Sequence, residues 1–348
     1  MDHKRSTRFR QPRPYSGQCG MSLIEIMIAI TISLILLAGV VQIFVSNKQS
    51  FRVQSSMTVL QENARFAIDN IRYALRMAGQ FGGSTISQLQ SSFATTAISV
   101  TGDCATDWAL EGAANQGYAI WRTSSTTGSP LSGCIPDSDY VLGTDIVVIR
   151  FGDGVPVADA AVTATSVYAR AETGNRTVLS LGSNITSVIP SDTNVLNFPM
   201  RVEVYYVRPC SVIGGGSNAT QCDSTDDDGN PIRTLARLTL SGTTLQNQAL
   251  VEGVEDMRIL FGVDNNNADG VDLADAYTNT PTWGSATQKI VSARLGILVR
   301  STTLDLTVND TATYNLAGFS VGVPAGAANY LRKAFNQTVE LRNLTRGI

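Results

Sequence analysis

Gly20-Met21-Ser22-Leu23-Ile24-Glu25 opens an apolar run that extends from Ile26 to Val45. The run carries no charge, and its only hydrogen-bonding side chains are Thr31, Ser33 and Gln42. About 20 apolar residues in a helix span about 30 Å, the thickness of a bilayer's hydrocarbon core. Ahead of the run lies a basic, Pro-containing leader with Lys4, Arg5, Arg8, Arg10 and Arg13. Two ordinary readings compete for this stretch. A cleaved secretory signal shares the basic start, but it needs a shorter apolar segment and a small-x-small cleavage site. Leu36-Leu37-Ala38-Gly39-Val40 offers no clean site of that kind. A plain signal anchor, its leader held in the cytoplasm by the positive-inside rule, explains all but one feature. It gives no reason for a carboxylate, Glu25, at the leading edge of the run. An acid inside the apolar zone is costly and usually marks a partner.

Charge and residue usage exclude several classes of function. The 348-residue chain has a formal net charge of −3. The first 20 residues hold five of the 26 basic and one of the 29 acidic residues, so the remainder has a net charge of −7. A nucleic-acid surface needs clustered Lys and Arg, and this balance argues against one. The only histidine is His3, in the leader. Without it the rest of the chain has no imidazole for a Ser-His-Asp or Cys-His mechanism, or for zinc. No G-K-[ST] phosphate loop, G-x-S-x-G elbow or S-x-x-K pair occurs. The chain is expected not to be an enzyme. Glu252 and Glu255, the closest thing to paired carboxylates, sit beside a predicted strand and read as a turn contact.

Residues 22–78 read as one helix, on the order of 85 Å long at 1.5 Å per residue. Beyond Ser46 the pattern becomes a stripe of Val53, Met57, Leu60, Ala64, Ala67, Ile71, Ala74 and Ala78, at alternating spacings of four and three. That is the seam of a helix packed on its own domain. Arg52, Gln54, Glu62, Arg65, Asp69 and Arg72 occupy the opposite face, and Gly79 suits the C-terminus. The expected organisation is a leader (1–20), an apolar helix half (21–45), an amphipathic half (46–79) and a β-rich domain (80–348). Within the domain, 80–140 reads as loops with short strands around Trp108, Tyr118 and Trp121. Strands are predicted at 145–151, 167–170, 176–181, 201–208, 233–240, 257–263, 289–300 and 333–343. The 201–208 strand alternates, with Val202, Val204 and Tyr206 on one face. The fold class is α+β: a long N-terminal helix on antiparallel sheet.

Beyond Cys19 of the leader, the cysteines are Cys104, Cys134, Cys210 and Cys222. An even number on the far side of a membrane segment points to disulfides in an oxidising compartment. Three pairings are open. Cys104–Cys134 with Cys210–Cys222 is favoured, because each pair encloses one Gly/Ser/Asp-rich stretch. The best metal candidate is the run Asp264-Asn265-Asn266-Asn267-Ala268-Asp269-Gly270-Val271-Asp272, in which Asp264, Asn266, Asp269 and Asp272 offer oxygen ligands for calcium. Ala268 falls where a third ligand belongs, and no Glu closes the loop, although Asp275 is near. The competing reading is an Asx-rich turn between strands. Asp226-Asp227-Asp228-Gly229 is a weaker candidate of the same kind. No other cofactor is expected.

Gly20-Met21-Ser22-Leu23-Ile24-Glu25 resembles the class III signal peptide of type IV prepilins, with Met21 where Phe is more common. Val251–Asp264 and Phe335–Asn343 resemble segments of PilW-type minor pilins, the first a short helix leading into a strand, the second a closing strand. The resemblance implies cleavage after Gly20 by a prepilin peptidase, N-methylation of Met21, and pairing of Glu25 with the terminal amine of a neighbouring subunit. It implies a single pass through the inner membrane with a periplasmic domain, then incorporation at or near a pilus tip. It also implies priming of pilus assembly, twitching motility and adhesion. The implied partners are other minor pilins, the major pilin, the inner-membrane assembly platform and a large tip adhesin. The alternatives are a J-type pseudopilin of type II secretion and a membrane-anchored periplasmic binding domain that never polymerises.

Overall fold

The computed structural model describes residues 20–83, 89, 98–112, 117–173, 175–266, 272–283, 285 and 288–345. The chain divides into two compact units, residues 1–54 and 55–348. Helix α1 runs without a break through Leu23–Met77. In the second unit its predicted stripe is the buried face: Leu60, Ala64, Ala67, Ile71, Ala74 and Ala78 are at most 1% exposed. Ile68 and Leu75 join them, while Arg65 and Arg76 on the other side are exposed. Four alanines in this face let strands approach the helix axis closely, so bulk added there meets a packed core. Gly79 ends the helix at φ +77°, with its N–H donating to the Arg150 carbonyl. The Asn343 side-chain amide donates to the Arg76 carbonyl, capping the last turn with the far end of the chain.

Seven strands form the larger sheet: β1 (Ile120–Thr123), β2 (Ile146–Gly152), β3 (Val167–Glu172), β4 (Arg176–Leu181), β5 (Val195–Arg208), β6 (Thr234–Ser241) and β7 (Thr244–Glu252). The order is β1-β2-β5-β3-β4, and β6 also pairs with β5 and carries β7. The smaller sheet takes β8 (Val254–Asp264), β9 (Ala276–Thr278), β10 (Lys289–Arg300) and β13 (Arg332–Glu340) in the order β13-β10-β8-β9; β11 (Thr313–Leu316) and β12 (Phe319–Gly322) form a separate hairpin. Pairing is antiparallel throughout the named strands.

Strand β5 begins six residues before the predicted Arg201. Pro199 lacks the N–H that a strand interior calls for, which hid the first half in the sequence. Here Pro199 lies opposite Tyr168, and its carbonyl accepts the Asp153 N–H. The alternation is as read, with Val202, Val204 and Tyr206 on one face, but Tyr205 and Val207 on the other face are buried too. The larger sheet is therefore covered on both sides. One core joins α1 to Val147, Ile149, Tyr205 and Val207 and to the inner face of the smaller sheet, including Met257, Ile259, Phe261, Leu295 and Ile297. The second core packs Phe81, Trp108 and Tyr118 against Val148, Val202, Val204 and Tyr206.

The expected helix ahead of the 257–263 strand is absent. Strand β7 continues through Glu252, Gly253 turns at φ +82°, and β8 starts at Val254. A Cβ at Gly253 would lie 2.6 Å from the Arg300 carbonyl oxygen, so this close crossing between the two sheets admits no side chain. Asp145 also ties the sheets together. Its N–H donates to the Met257 carbonyl, and its Oδ2 accepts the Ile259 N–H.

Candidate functional site

Helix α1 starts as a capped helix. The Ile24 N–H donates to Ser22 Oγ at 3.3 Å, and the Ser22 N–H donates to Glu25 Oε2 at 3.2 Å. These reciprocal bonds satisfy two of the donors that a helix N-terminus leaves open. The S-x-x-E pattern ahead of an apolar run is legible in the sequence, and it gives Glu25 a local role that reading it solely as a partner residue had missed. Gly20, Met21 and Glu25 are all exposed, and a Cβ at Gly20 would meet nothing within 4 Å. From Ile26 to Val45 every residue is exposed, so none of the described residues of the unit covers the apolar half. Thr31 turns its hydroxyl back onto the Ile28 carbonyl at 2.9 Å, removing one polar group from the surroundings.

The cysteines pair as Cys104–Cys134 and Cys210–Cys222, with Cα atoms 4.4 and 5.6 Å apart. The second bridge closes the long loop between β5 and β6. Buried Asp226 lies beside it, with a carboxylate oxygen and both sulfurs within 4.8 Å of one another. The sulfurs are bonded to each other and present no thiolates to a metal, while Asp226 Oδ2 accepts the Asp223 N–H. Asp227 likewise holds the loop, accepting from the Ser211 hydroxyl and from the Ser211 and Ile232 N–H groups.

The calcium candidates that the structure describes each have contacts within the protein. Asp264 is buried at the end of β8, with Oδ1 accepting the Asn266 N–H and Oδ2 having no hydrogen-bond partner among the described residues. Asp272 pairs with Lys289 at 3.3 Å, and Asp275 accepts the Asn265 N–H. Asp269 lies outside the described residues, as do the leader residues 1–19.

Buried guanidinium centres were not visible in the sequence, and two of them bear on its readings. Arg150, in the middle of β2, donates to the carbonyls of Trp108, Ala109 and Tyr118 and stacks 4.9 Å from the Trp108 ring centre. Burial pushes its pKa down to about 10. The aromatics expected to anchor a small core therefore do so around a guanidinium. The other centre corrects the turn reading of Glu252 and Glu255. Glu252 is exposed at the end of β7, whereas Glu255 is buried in β8. Glu255 takes two bonds from Arg332, at 2.5 and 2.9 Å, and lies 3.6 Å from Arg300. Asp310 adds a contact to Arg332 at 3.2 Å. Burial opposes the Arg332 charge, but Glu255 and Asp310 outweigh it and raise its pKa. The four groups come from strands and a loop far apart in the chain, so no local pattern announces them.

Among the described residues none of these centres combines a nucleophile with a base. Among the described residues the apolar helix half behind Glu25 lies exposed within its unit. Comparison with known proteins bears on that half and on the C-terminal part of the domain. The prokaryotic N-terminal methylation motif matches residues 15–41, and the type IV pilus-assembly protein W family matches residues 221–343. A type IV-like pilin from Thermus thermophilus is similar at 14% identity and a TM-score of 0.27, over 66% of this chain and 86% of that one. No curated protein gives a significant match.

Proposed function

The two family matches support a type IV minor pilin of the PilW type, and on that footing we propose that this chain primes assembly of a type IV pilus and sits at or near its tip. The observation that carries the reading is the uncharged helix half, exposed over its whole length and led by a single carboxylate. Such a surface is stable only in lipid or among similar helices. The motif and the helix fit a membrane-anchored pilus component. In the proposed sequence of events the leader stays in the cytoplasm, the domain faces the periplasm, and a prepilin peptidase cuts after Gly20 and methylates Met21. Other minor pilins, the major pilin and the inner-membrane platform are the proposed partners. Twitching motility and adhesion are the proposed consequences.

Glu25 has the central part. One oxygen, Oε2, caps Ser22, which leaves the other oxygen for the methylated amine of Met21 in a neighbouring subunit. A charge pair in a low-dielectric bundle is far stronger than one in water, and removing either partner strands the other. The test separates this role from capping. Glu25→Ala and Ser22→Ala each break the cap, at a cost of about 0.5–2 kcal/mol for a lost N-cap side chain. Both variants are expected to remain in the membrane fraction. Immunoblots of sheared pili should show Glu25→Ala strongly depleted and Ser22→Ala near wild type. Equal depletion of the two would reduce Glu25 to a cap, and normal incorporation of Glu25→Ala would remove it from assembly altogether. A deletion that abolishes pili but spares protein secretion distinguishes a pilus role from a pseudopilin role.

A further inference from the structure

Strand β5 changes neighbours part of the way along one edge. Its first half pairs with β3 as far as Tyr168 opposite Pro199, and its second half pairs with β6 from Thr239 opposite Glu203. Residues 200–202 pair with β2 on the other edge but face neither β3 nor β6. The sheet forks there and leaves a cavity of ≈ 360 Å³ between the diverging strands. Its walls are mainly hydrogen-bonding: Arg201, Arg237, Thr239, Ser241, Gln246 and Gln248.

Charge decides what such a notch accepts. Arg201 is neutralised by Asp153, with Nη2 to Oδ2 at 2.8 Å and Nε to the same oxygen at 3.2 Å. Arg237 is neutralised by Glu203 at 3.3 Å and donates its other nitrogen to Gln248 Oε1 at 3.0 Å. A phosphate or carboxylate would meet guanidiniums that already have acids beside them, and an ammonium would meet the converse. The scarcity of apolar lining excludes a lipid chain or an apolar peptide anchor. What fits is a ligand dense in neutral groups that each donate and accept, because Arg–carboxylate pairs, amides and hydroxyls supply both functions side by side. The volume is near the small end for ligand pockets, roughly 300–1,000 Å³.

We propose that the β3–β5–β6 fork is a binding site for a small neutral saccharide of one or two rings. Gln248 and Arg237 hold the ring hydroxyls, and Ser241 lies at the mouth. This gives the adhesion reading a ligand class, yet it does not depend on polymerisation, so the experiment uses full-length chain in detergent micelles, where no filament forms. Saturation-transfer NMR is run with glucose, galactose, N-acetylglucosamine, N-acetylgalactosamine, fucose and lactose, and with glucose 6-phosphate and glucosamine as charged comparators. At least one neutral sugar should receive saturation, and the charged analogues should receive less. Gln248→Ala, at a half-buried position, should weaken binding about tenfold, the scale of one hydrogen bond. Ser241→Trp, at an exposed position on the rim, should abolish binding by filling the mouth. Thr338→Ala, on the smaller sheet, should leave binding unchanged, with circular-dichroism melts showing all three variants folded. Transfer to none of the neutral sugars, transfer to the charged analogues alone, or binding unmoved by Gln248→Ala and Ser241→Trp would each overturn the site. Failure here leaves the assembly role of Glu25 untouched.

Discussion

At Asp256 an ion pair and burial pull in opposite directions. Arg258 grips the carboxylate with two bonds, at 2.8 and 3.0 Å, which favours the charged form. Burial in β8 outweighs them, and nearby Asp145 adds repulsion, so the pKa is pushed up to about 6 from 3.8. The folded state then holds this proton more tightly than the unfolded chain. The stabilisation is complete below about pH 4 and is lost as pH rises through about 6. Asp256→Asn keeps the shape and removes the titration. The stability of wild type relative to Asp256→Asn should therefore fall by on the order of 2 kcal/mol between pH 4 and pH 7. Urea unfolding of both proteins across that range checks it, and parallel curves would refute it. The sequence gives no hint of this residue's state, because Val251-Glu-Gly-Val-Glu-Asp shows acids next to a strand and not the depth at which the strand lies. Ser22 and Glu25 are the opposite case: a cap four residues long is legible because both partners belong to the same turn.

Among the elements, α1 was the most legible, since its stripe recurs over many turns and its terminal glycine needs a positive φ. Strand starts were less so. The first half of β5 was hidden by Pro199, and the resemblance at Val251–Asp264 implied a short helix where β7 turns directly into β8. Packing decides that junction. The Gly253 N–H donates to the Arg233 carbonyl and its carbonyl accepts the Arg300 N–H, both at 2.8 Å, in a left-handed backbone pressed against Arg300. Gly253→Ala should therefore cost about 1–3 kcal/mol, from strain at positive φ and a contact that only backbone movement relieves. Gly322→Ala, in a strand with open space around it, is the control and should stay within about 0.5 kcal/mol of wild type. Equal melting temperatures for the two variants would mean that the crossing is slack.

For the whole molecule, one helix stripe serves two sheets, and two disulfides fasten loops on the larger one. Cys104–Cys134 closes 30 residues and Cys210–Cys222 closes 12. Loop entropy alone assigns roughly 3.6 and 2.8 kcal/mol to them. The double serine variant at 104 and 134 should thus melt lower than that at 210 and 222. The reverse order would show that native packing around Cys210, which is fully buried, outweighs chain entropy. By itself the sequence determined the long helix, the α+β class, most strands and the apolar run behind Glu25. Each rests on periodicity or on a run of one polarity, which is information between near neighbours. Only the tertiary structure decided the burial of both faces of β5, the guanidinium centres at Arg150 and Glu255, the turn at Gly253 and the fork beside Arg237. Those depend on which distant strands meet, and the free energy of burying a polar group is set by its neighbours in space, not in sequence.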